Sequence, residues 1–211
     1  PKRSIERKKE NKLLYWVCCS CNNVEKSKLN FISEAELKSI SALVTANECL
    51  AVFIIPENVD TDYSNTLQIA LDDIRDPGNM GTIIRLADWF GIQNIICSEA
   101  TVDVYNPKVI QATMGSIARV NVLYCDLKKE LLSAKVPVYG TLLEGKNIYS
   151  EKLIQPAIIV LGNESNGISE EIQKLITHKI TIPRFGTLQQ TESLNVATAT
   201  AIVLSEFCGG N

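Results

Sequence analysis

Residues 66–91 read TLQIALDDIRDPGNMGTIIRLADWFG and join an apolar run, a polar turn and an amphipathic segment. The run Thr66–Leu71 predicts a short strand that is covered on both faces. Apolar residues then recur at helical spacing over Asn79–Phe90, and Gly91 provides the stop. Because ligands bind where parallel strands end and helices begin, we expect a site within this stretch.

The same alternation of strand and helix signals continues along the chain and predicts an α/β fold. A mostly parallel sheet with helices on both faces is the expected architecture. Strands are predicted at Thr66–Leu71, Asn94–Cys97, Val120–Tyr124, Val136–Leu142, Ala157–Leu161 and Lys179–Ile182. Helices are predicted at Asn79–Phe90, from Asn106 onward with Pro107 in its first turn, and at Leu127–Ala134, Ser169–Ile176 and Leu194–Phe207.

The N-terminal part follows a different pattern and predicts a separate region over residues 1–57. A helix is expected at Ser33–Leu43 and a strand at Leu50–Ile55, whereas residues 1–30 show no clean period. The polar segment 58–65 reads as a linker, which leaves 66–211 as the main domain.

Composition excludes some classes of protein and leaves nucleic-acid binding open. Apolar residues make up 45% and charged residues 21%, as in ordinary globular proteins. No signal peptide and no apolar run long enough for a bilayer are visible, so we expect a cytoplasmic protein without a membrane partner. The net charge is −3, but residues 1–12 hold six basic and two acidic residues, which leaves 15 and 22 elsewhere, a net of −7. This segment is either a solvated terminus or a basic arm for phosphates.

Seven cysteines invite a zinc or disulfide interpretation. Cys18, Cys19 and Cys21 cluster, but the sequence has no second C-x-x-C pair to complete a zinc site, and His178 is the single histidine. We therefore expect reduced, structural cysteines and no metal.

Three polar turns carry the candidate chemistry, the first of them at residues 71–85. Gly81 and Arg85 are four residues apart and share a helix face, so the glycine could leave space above the arginine for a substrate group. Asn79 could cap the helix or orient a ligand. An ordinary capped helix with a solvated arginine fits this stretch equally well.

The second and third turns are weak signals when taken alone. In Ile158–Ile168 an apolar strand enters a turn with two glycines, and Glu164 at its mouth could pair with Arg85. In the third stretch a strand stops at Pro183, and Ser193 is a natural cap for the closing helix. A plain strand-to-helix turn and a capped buried helix remain the alternatives.

Together, in order and spacing, the three stretches resemble the signature motifs of the SpoU-type (TrmH-like) branch of the SPOUT RNA 2′-O-ribose methyltransferases. The matching residues are Asn79-x-Gly81-x-x-x-Arg85, Leu161-Gly162-Asn163-Glu164-x-x-Gly167, and Ile182-Pro183 with Ser193-Leu194-Asn195-Val196. The resemblance covers about Thr66 to Phe207. Two departures are a longer loop between Gly186 and Ser193 and the absence of a match over residues 1–30.

The resemblance implies a C-terminal trefoil knot, a homodimer and S-adenosylmethionine as cofactor. It also implies RNA as substrate, with ribosomal RNA favoured over tRNA because Ser33–Glu57 resembles part of a small RNA-binding domain. The implied catalytic residues are Arg85, Asn79, Glu164, Ser193 and Asn195. The implied cofactor-binding residues are Leu142, Gly162, Asn163, Ile182 and Leu194.

Two questions stay open at this point. Arg85 could be the base, as the family account has it, or could stabilise a developing alkoxide, which suits a guanidinium that does not deprotonate. The chain could also be a catalytically silent RNA-binding module of the same fold, or a flavodoxin-like nucleotide-binding protein that leaves the third motif unexplained.

Overall fold

The computed structural model describes residues 13–16, 30, 32–41, 50–55, 65–186 and 193–209, with backbone alone at 13–16 and 51–54. The chain divides into two compact units, Pro1–Glu57 and Asn58–Asn211. The basic segment 1–12, the cysteine cluster, the linker apart from Asn65 and the loop Thr187–Thr191 lie outside the described residues.

The described residues of the first unit form two antiparallel strands and one short helix. Strand β1 (Leu13–Trp16) pairs with β2 (Ala51–Ile54), and α1 (Glu34–Ile40) lies between them in sequence. Helix α1 starts with a capping box, in which Ser33 Oγ accepts from the Glu36 N–H at 3.3 Å and the Ser33 N–H donates to the Glu36 carboxylate at 2.8 Å. Strand β1 was not predicted, because its neighbourhood has no hydrophobic period.

The second unit is built on six parallel strands in the order β5-β4-β3-β7-β6-β8. The α/β architecture is therefore confirmed. Its strands are β3 (Gln68–Asp72), β4 (Asn94–Ser98), β5 (Asn121–Cys125), β6 (Val138–Asn147), β7 (Ile158–Gly162) and β8 (His178–Thr181). Its helices are α2 (Pro77–Trp89), α3 (Pro107–Thr113), α4 (Leu127–Ser133), α5 (Glu170–Gln173) and α6 (Val196–Gly209), with a 3₁₀ turn at Ser116–Ala118.

Alternate residues of the central strands pack into two hydrophobic clusters, one on each face. Ile159 and Leu161 of β7 join the cluster that includes residues of α2, α3 and α6, whereas Ile158 and Val160 join the cluster that includes residues of α4 and α5. This period of two, with both sides apolar, is what makes the strands read as continuous hydrophobic runs.

Most boundaries differ from the predictions by no more than three residues, and one differs by five. Strand β6 continues to Asn147, beyond the predicted Leu142, and its register with β8 shifts between Thr141 and Lys146. A Cβ at Gly145 would lie 2.6 Å from the Ile180 carbonyl carbon, so glycine permits this close approach. The polar composition of Leu143–Asn147 hid the extension.

Candidate active site

The candidate site lies where β3 and β7 end side by side, since Asp72 pairs with Gly162 in the register of the sheet. Helix α2 begins close to this edge. Its N-cap is Asp76, whose Oδ1 accepts from the Asn79 N–H at 2.7 Å, and Pro77 follows in the first turn. Of the two roles that the sequence leaves open for Asn79, helix capping is therefore excluded, because Asp76 occupies the N-cap position.

The Asn79 side chain instead joins all three motifs through two hydrogen bonds. Its Nδ2 donates to Glu164 Oε1 at 2.9 Å, and its Oδ1 accepts from Asn195 Nδ2 at 2.8 Å. Residues that are 85 and 116 positions away along the chain thus meet at one asparagine. We call Asn79, Glu164 and Asn195 the polar network.

Asn195 has a second role as the cap of α6. Its Oδ1 accepts from the backbone N–H groups of Ala197 and Thr198 at 3.0 and 3.2 Å. The expectation that Ser193 caps this helix is wrong, because α6 begins at Val196 and Ser193 precedes the cap by two residues. Ser193 is exposed and lines the cleft described below.

Arg85 is not part of the polar network. Its side chain is exposed and makes no hydrogen bond or ion pair with any residue in the described part of the chain. The expected Arg85–Glu164 pair does not form, because six residues of helix place Arg85 about 9 Å along the axis from Asn79 and on another side of α2. Glu164 is held by Asn79 instead.

Gly81 serves packing rather than the space above Arg85 that its spacing suggested. A Cβ at this position would lie 2.4 Å from Ala112 Cβ and 2.9 Å from the Val109 carbonyl oxygen. The glycine therefore lets α3 approach α2, and the expected substrate space at that point is filled by α3.

Gly162 and Asn163 build the turn after β7. A Cβ at Gly162 would lie 2.2 Å from the Gly167 carbonyl carbon, so only glycine fits. Asn163 Nδ2 donates to the Asp73 carbonyl at 2.7 Å, while its Oδ1 accepts from the N–H groups of Ser165 and Asn166 at 2.8 and 3.0 Å. The Asn163 amide is thus hydrogen-bonded within the protein and fixes the shape of this turn.

A cleft of about 1470 Å³ opens beside this turn, between the ends of β6, β7 and β8 and the start of α6. Glu164 and Ser193 also face the cleft, whereas Asn79, Arg85 and Asn195 do not line it. All five residues expected to bind the cofactor line it, namely Leu142, Gly162, Asn163, Ile182 and Leu194.

Residues 66–205 match the model of the SpoU rRNA methylase family. The chain belongs to this family. The match spans the sheet, the polar network and most of α6, so all three motifs lie within the family domain.

Three similar proteins cover most of this chain. A 23S rRNA guanosine 2′-O-methyltransferase of Bacillus subtilis is 31% identical over 84% of this chain and 71% of its own length. A TrmH-family structure from Porphyromonas gingivalis is 41% identical over 83% of this chain and 71% of its own, with a TM-score of 0.76. An AdoMet-bound rRNA methyltransferase from Sinorhizobium meliloti is 29% identical over 83% and 69%, with a TM-score of 0.73. The chain spans only about half the length of two Synechocystis relatives.

The cysteines of this SpoU-family chain show no sign of a metal site within the described ranges, where no cluster of His, Cys, Asp or Glu has a metal-binding arrangement. Cys97, Cys125 and Cys208 are free thiols. Burial raises the pKa of Cys97 and raises the pKa of Cys125 to about 11, so both thiols stay protonated at neutral pH. No described helix is long and apolar enough to cross a membrane.

Three residues near the SpoU motifs were missed by sequence reasoning. The signal for Asp76 was available, because Asp-Pro before a helical pattern is a usual N-cap and first turn. Tyr149 and Phe185, which line the cleft, carried no local signal, because their positions depend on where β6 and β8 end.

Proposed function

We propose that this chain transfers a methyl group from S-adenosylmethionine to a ribose 2′-hydroxyl of ribosomal RNA. One observation carries the proposal: a polar network drawn from all three motifs stands beside a cleft lined by all five expected cofactor residues. The relatives support it, since one is named for this reaction on 23S rRNA and another was solved with AdoMet.

The cleft suits this cofactor chemically. Leu142, Ile182 and Leu194 offer apolar side chains for an adenine ring and an aliphatic chain, and the backbone around Gly162 offers polar groups. When bound, S-adenosylmethionine supplies a methyl group on a sulfonium that leaves readily. The protein's task is then to hold the 2′-oxygen about 3–3.5 Å from that carbon and to favour its negative charge.

We assign the second task to Arg85, which does not line the cleft of its own chain and would therefore act from a second copy in the dimer proposed below. A guanidinium does not give up its proton at neutral pH, so Arg85 stabilises the developing alkoxide, and the proton passes to water or a phosphate. Asn79, Glu164, Ser193 and Asn195 orient the ribose and the loops around it. The hydrogen bond from Asn79 keeps the Glu164 carboxylate at the mouth of the cleft.

We also propose a homodimer, on the basis of the exposed side of α2. Trp89 is 85% exposed and follows Arg85 by one helical turn, so one face of α2 presents an uncovered indole beside the candidate catalytic arginine. Covering this face with a second copy would also bring Arg85 near another subunit. Light scattering at micromolar concentration tests this, and a monomeric mass refutes it.

The trefoil knot belongs to the same proposal. The chain leaves β8 at the sheet edge, and Asn195, which caps α6, is bonded to Asn79 of α2 near the centre of the sheet. The knot requires that the connection between these two points be threaded through a loop of the chain. A crystal structure traced through residues 187–192 checks it, and an unthreaded path excludes the knot.

For the first unit we propose RNA binding, and for the whole chain a cytoplasmic location that follows from its substrate. The six basic residues of segment 1–12 are its main support, because the remainder of the chain carries a net charge of −7.

Two measurements test the function. Calorimetry with S-adenosylmethionine should show one site per chain, and transfer of tritiated methyl to unmodified 23S rRNA should give nucleotides methylated at the 2′-oxygen. RNA binding without cofactor binding or methyl transfer would identify a catalytically silent module instead.

A further inference from the structure

Two exposed aromatic rings lie at the cleft, apart from the residues assigned above. Phe185 is 81% exposed and Tyr149 is 47% exposed, and both line the cleft. Their ring centroids are 6.4 Å apart with the planes tilted by 37°, within the spacing usual for paired rings. Tyr149 follows β6 and Phe185 follows β8, so the pair exists only in the folded protein.

Exposed aromatic side chains that touch each other differ from scattered surface hydrophobes. Each ring restrains the other, and the Phe185 ring remains largely open to solvent. Leu143, at 68% exposure, lines the same cleft and enlarges the uncovered apolar surface. Such a surface at the edge of a site is typical of a place where a flat apolar ligand sits.

Glu144 and Glu164 balance the charge of the cleft as a whole, but the cations on the strand and loop that carry Phe185 favour a polyanion at the ring pair. Lys179 and Arg184 are exposed, line the same cleft and belong to the segment that carries Phe185. Aromatic faces beside cationic side chains are the combination that binds single-stranded RNA, by base stacking and phosphate attraction. The positively charged sulfonium cofactor gains nothing from such cations.

The size of the cleft agrees with two occupants. Its volume of about 1470 Å³ exceeds the roughly 300–1,000 Å³ of ordinary small-molecule sites. The expected cofactor residues Leu142, Gly162 and Ile182 are less exposed than Phe185, which leaves the ring pair for a second ligand.

We propose that Phe185, supported by Tyr149, stacks on a nucleobase of the substrate RNA. This rests on the proposed function. A base held against Phe185 would fix the adjoining ribose at the cleft by a contact that is tolerant of sequence, because every base has a π-face. Phe185 is thus a positioning residue that acts on the RNA and not on the methyl group.

Binding of labelled oligonucleotides to the full chain separates stacking from charge. The probes are a 12-nucleotide oligoadenylate and an abasic ribose-phosphate chain of equal length. Phe185→Leu should weaken binding of the oligoadenylate about fivefold to hundredfold and leave the abasic chain unchanged. Phe185→Trp should retain wild-type binding, and Tyr149→Leu should show a smaller loss than Phe185→Leu.

Control measurements assign any other occupant. Equal binding of Phe185→Leu and wild type to the oligoadenylate, or an equal loss with the abasic chain, overturns the proposal. If Phe185→Leu instead loses affinity for S-adenosylmethionine, the rings bind the adenine of the cofactor. If it changes the mass measured by light scattering, the rings bind a second copy of the chain. Both outcomes overturn the proposal. A wild-type protein that binds the cofactor and methylates 23S rRNA keeps the proposed function intact in each case.

Discussion

The glycines and the polar residues of the same motifs lie in opposite environments. Gly81 and Gly162 are places where another backbone or side chain approaches to within 2.4 Å of an added Cβ. Arg85 and Glu164, four and two residues further on, are exposed, and Glu164 reaches a partner across the cleft edge. The motifs therefore combine two tasks. Their glycines allow close packing between elements, and their polar residues remain exposed and available for hydrogen bonds or for substrate.

If this division is correct, the largest effect comes from Arg85 and falls on catalysis alone. Arg85→Ala should lower kcat about 100–1,000-fold, or roughly 3–4 kcal/mol of barrier, and leave S-adenosylmethionine affinity and the melting temperature near wild type. Single-turnover methylation with calorimetry measures both. Arg75→Ala, which removes another exposed arginine, is the matched control, and near wild-type kcat in Arg85→Ala would remove Arg85 from the mechanism.

The glycine half of the comparison predicts a loss of stability. Gly162→Ala should lower the free energy of unfolding by about 1–3 kcal/mol, because its Cβ meets the Gly167 backbone, which cannot move aside easily. Urea unfolding measures this, and Gly209→Ala is the control, since nothing lies within 4 Å of its added Cβ. A stable but inactive Gly162→Ala would mean that this glycine serves the ligand instead.

The polar network can be divided into hydrogen bonding and charge. Glu164→Ala should reduce kcat/KM about 10–100-fold, since it removes a hydrogen bond to a charged group worth roughly 1.5–3 kcal/mol. Glu164→Gln retains an acceptor for Asn79 Nδ2 and should recover much of that loss if orientation is what matters. If kcat/KM falls equally in both variants, the negative charge of the Glu164 carboxylate is required.

A smaller effect is expected for the basic segment, and only on RNA. Changing Lys8 and Lys9 to Gln should flatten the slope of log affinity against log salt by about 0.7–0.9 for each phosphate that the protein no longer neutralises. Filter binding over a salt series measures the slope. The affinity for S-adenosylmethionine is the control and should stay unchanged. An unchanged slope would make this segment a solvated terminus.

The smallest effect concerns Asp88, which holds the 3₁₀ turn against α2. Hydrogen bonds from Arg119 and Ser116 lower the pKa of the Asp88 carboxyl. The contribution of Asp88 to stability is therefore fully present above the ordinary carboxyl pKa, and it is lost as the pH falls through the lowered pKa of Asp88. Asp88→Asn should therefore be slightly less stable at pH 7, and the difference should shrink in acid. Thermal melts at pH 7 and pH 3 check this sign.

Much of this molecule was predictable because apolar period and turn chemistry are local. The six strands of the second unit and most of its helices follow from such runs, and Pro107 marks the start of α3 as expected. What failed was long-range: the Asn79–Glu164 and Asn79–Asn195 bonds join residues that no local rule relates. The wrong cap at Ser193 arose because several side chains near the start of α6 were able to cap it, and the same ambiguity left the role of Asn79 open at the start of α2.

The position of Gly81 shows a further limit of sequence reasoning. Its spacing from Arg85 suggested an open space, because helical geometry reports which residues share a face but not what stands opposite. Helix α3 stands there, brought close by the connection through β4.

The amide of Asn195 ties the start of one helix to the start of another with its two atoms. Its oxygen serves α6 and its nitrogen serves Asn79, so exchanging that NH₂ group for an oxygen, as in Asn195→Asp, keeps the helix cap and cuts the link. The two helices would then be held together by their packing in the hydrophobic core alone. An amide in this position therefore couples the two helix starts, a role that a carboxylate of the same size cannot fill.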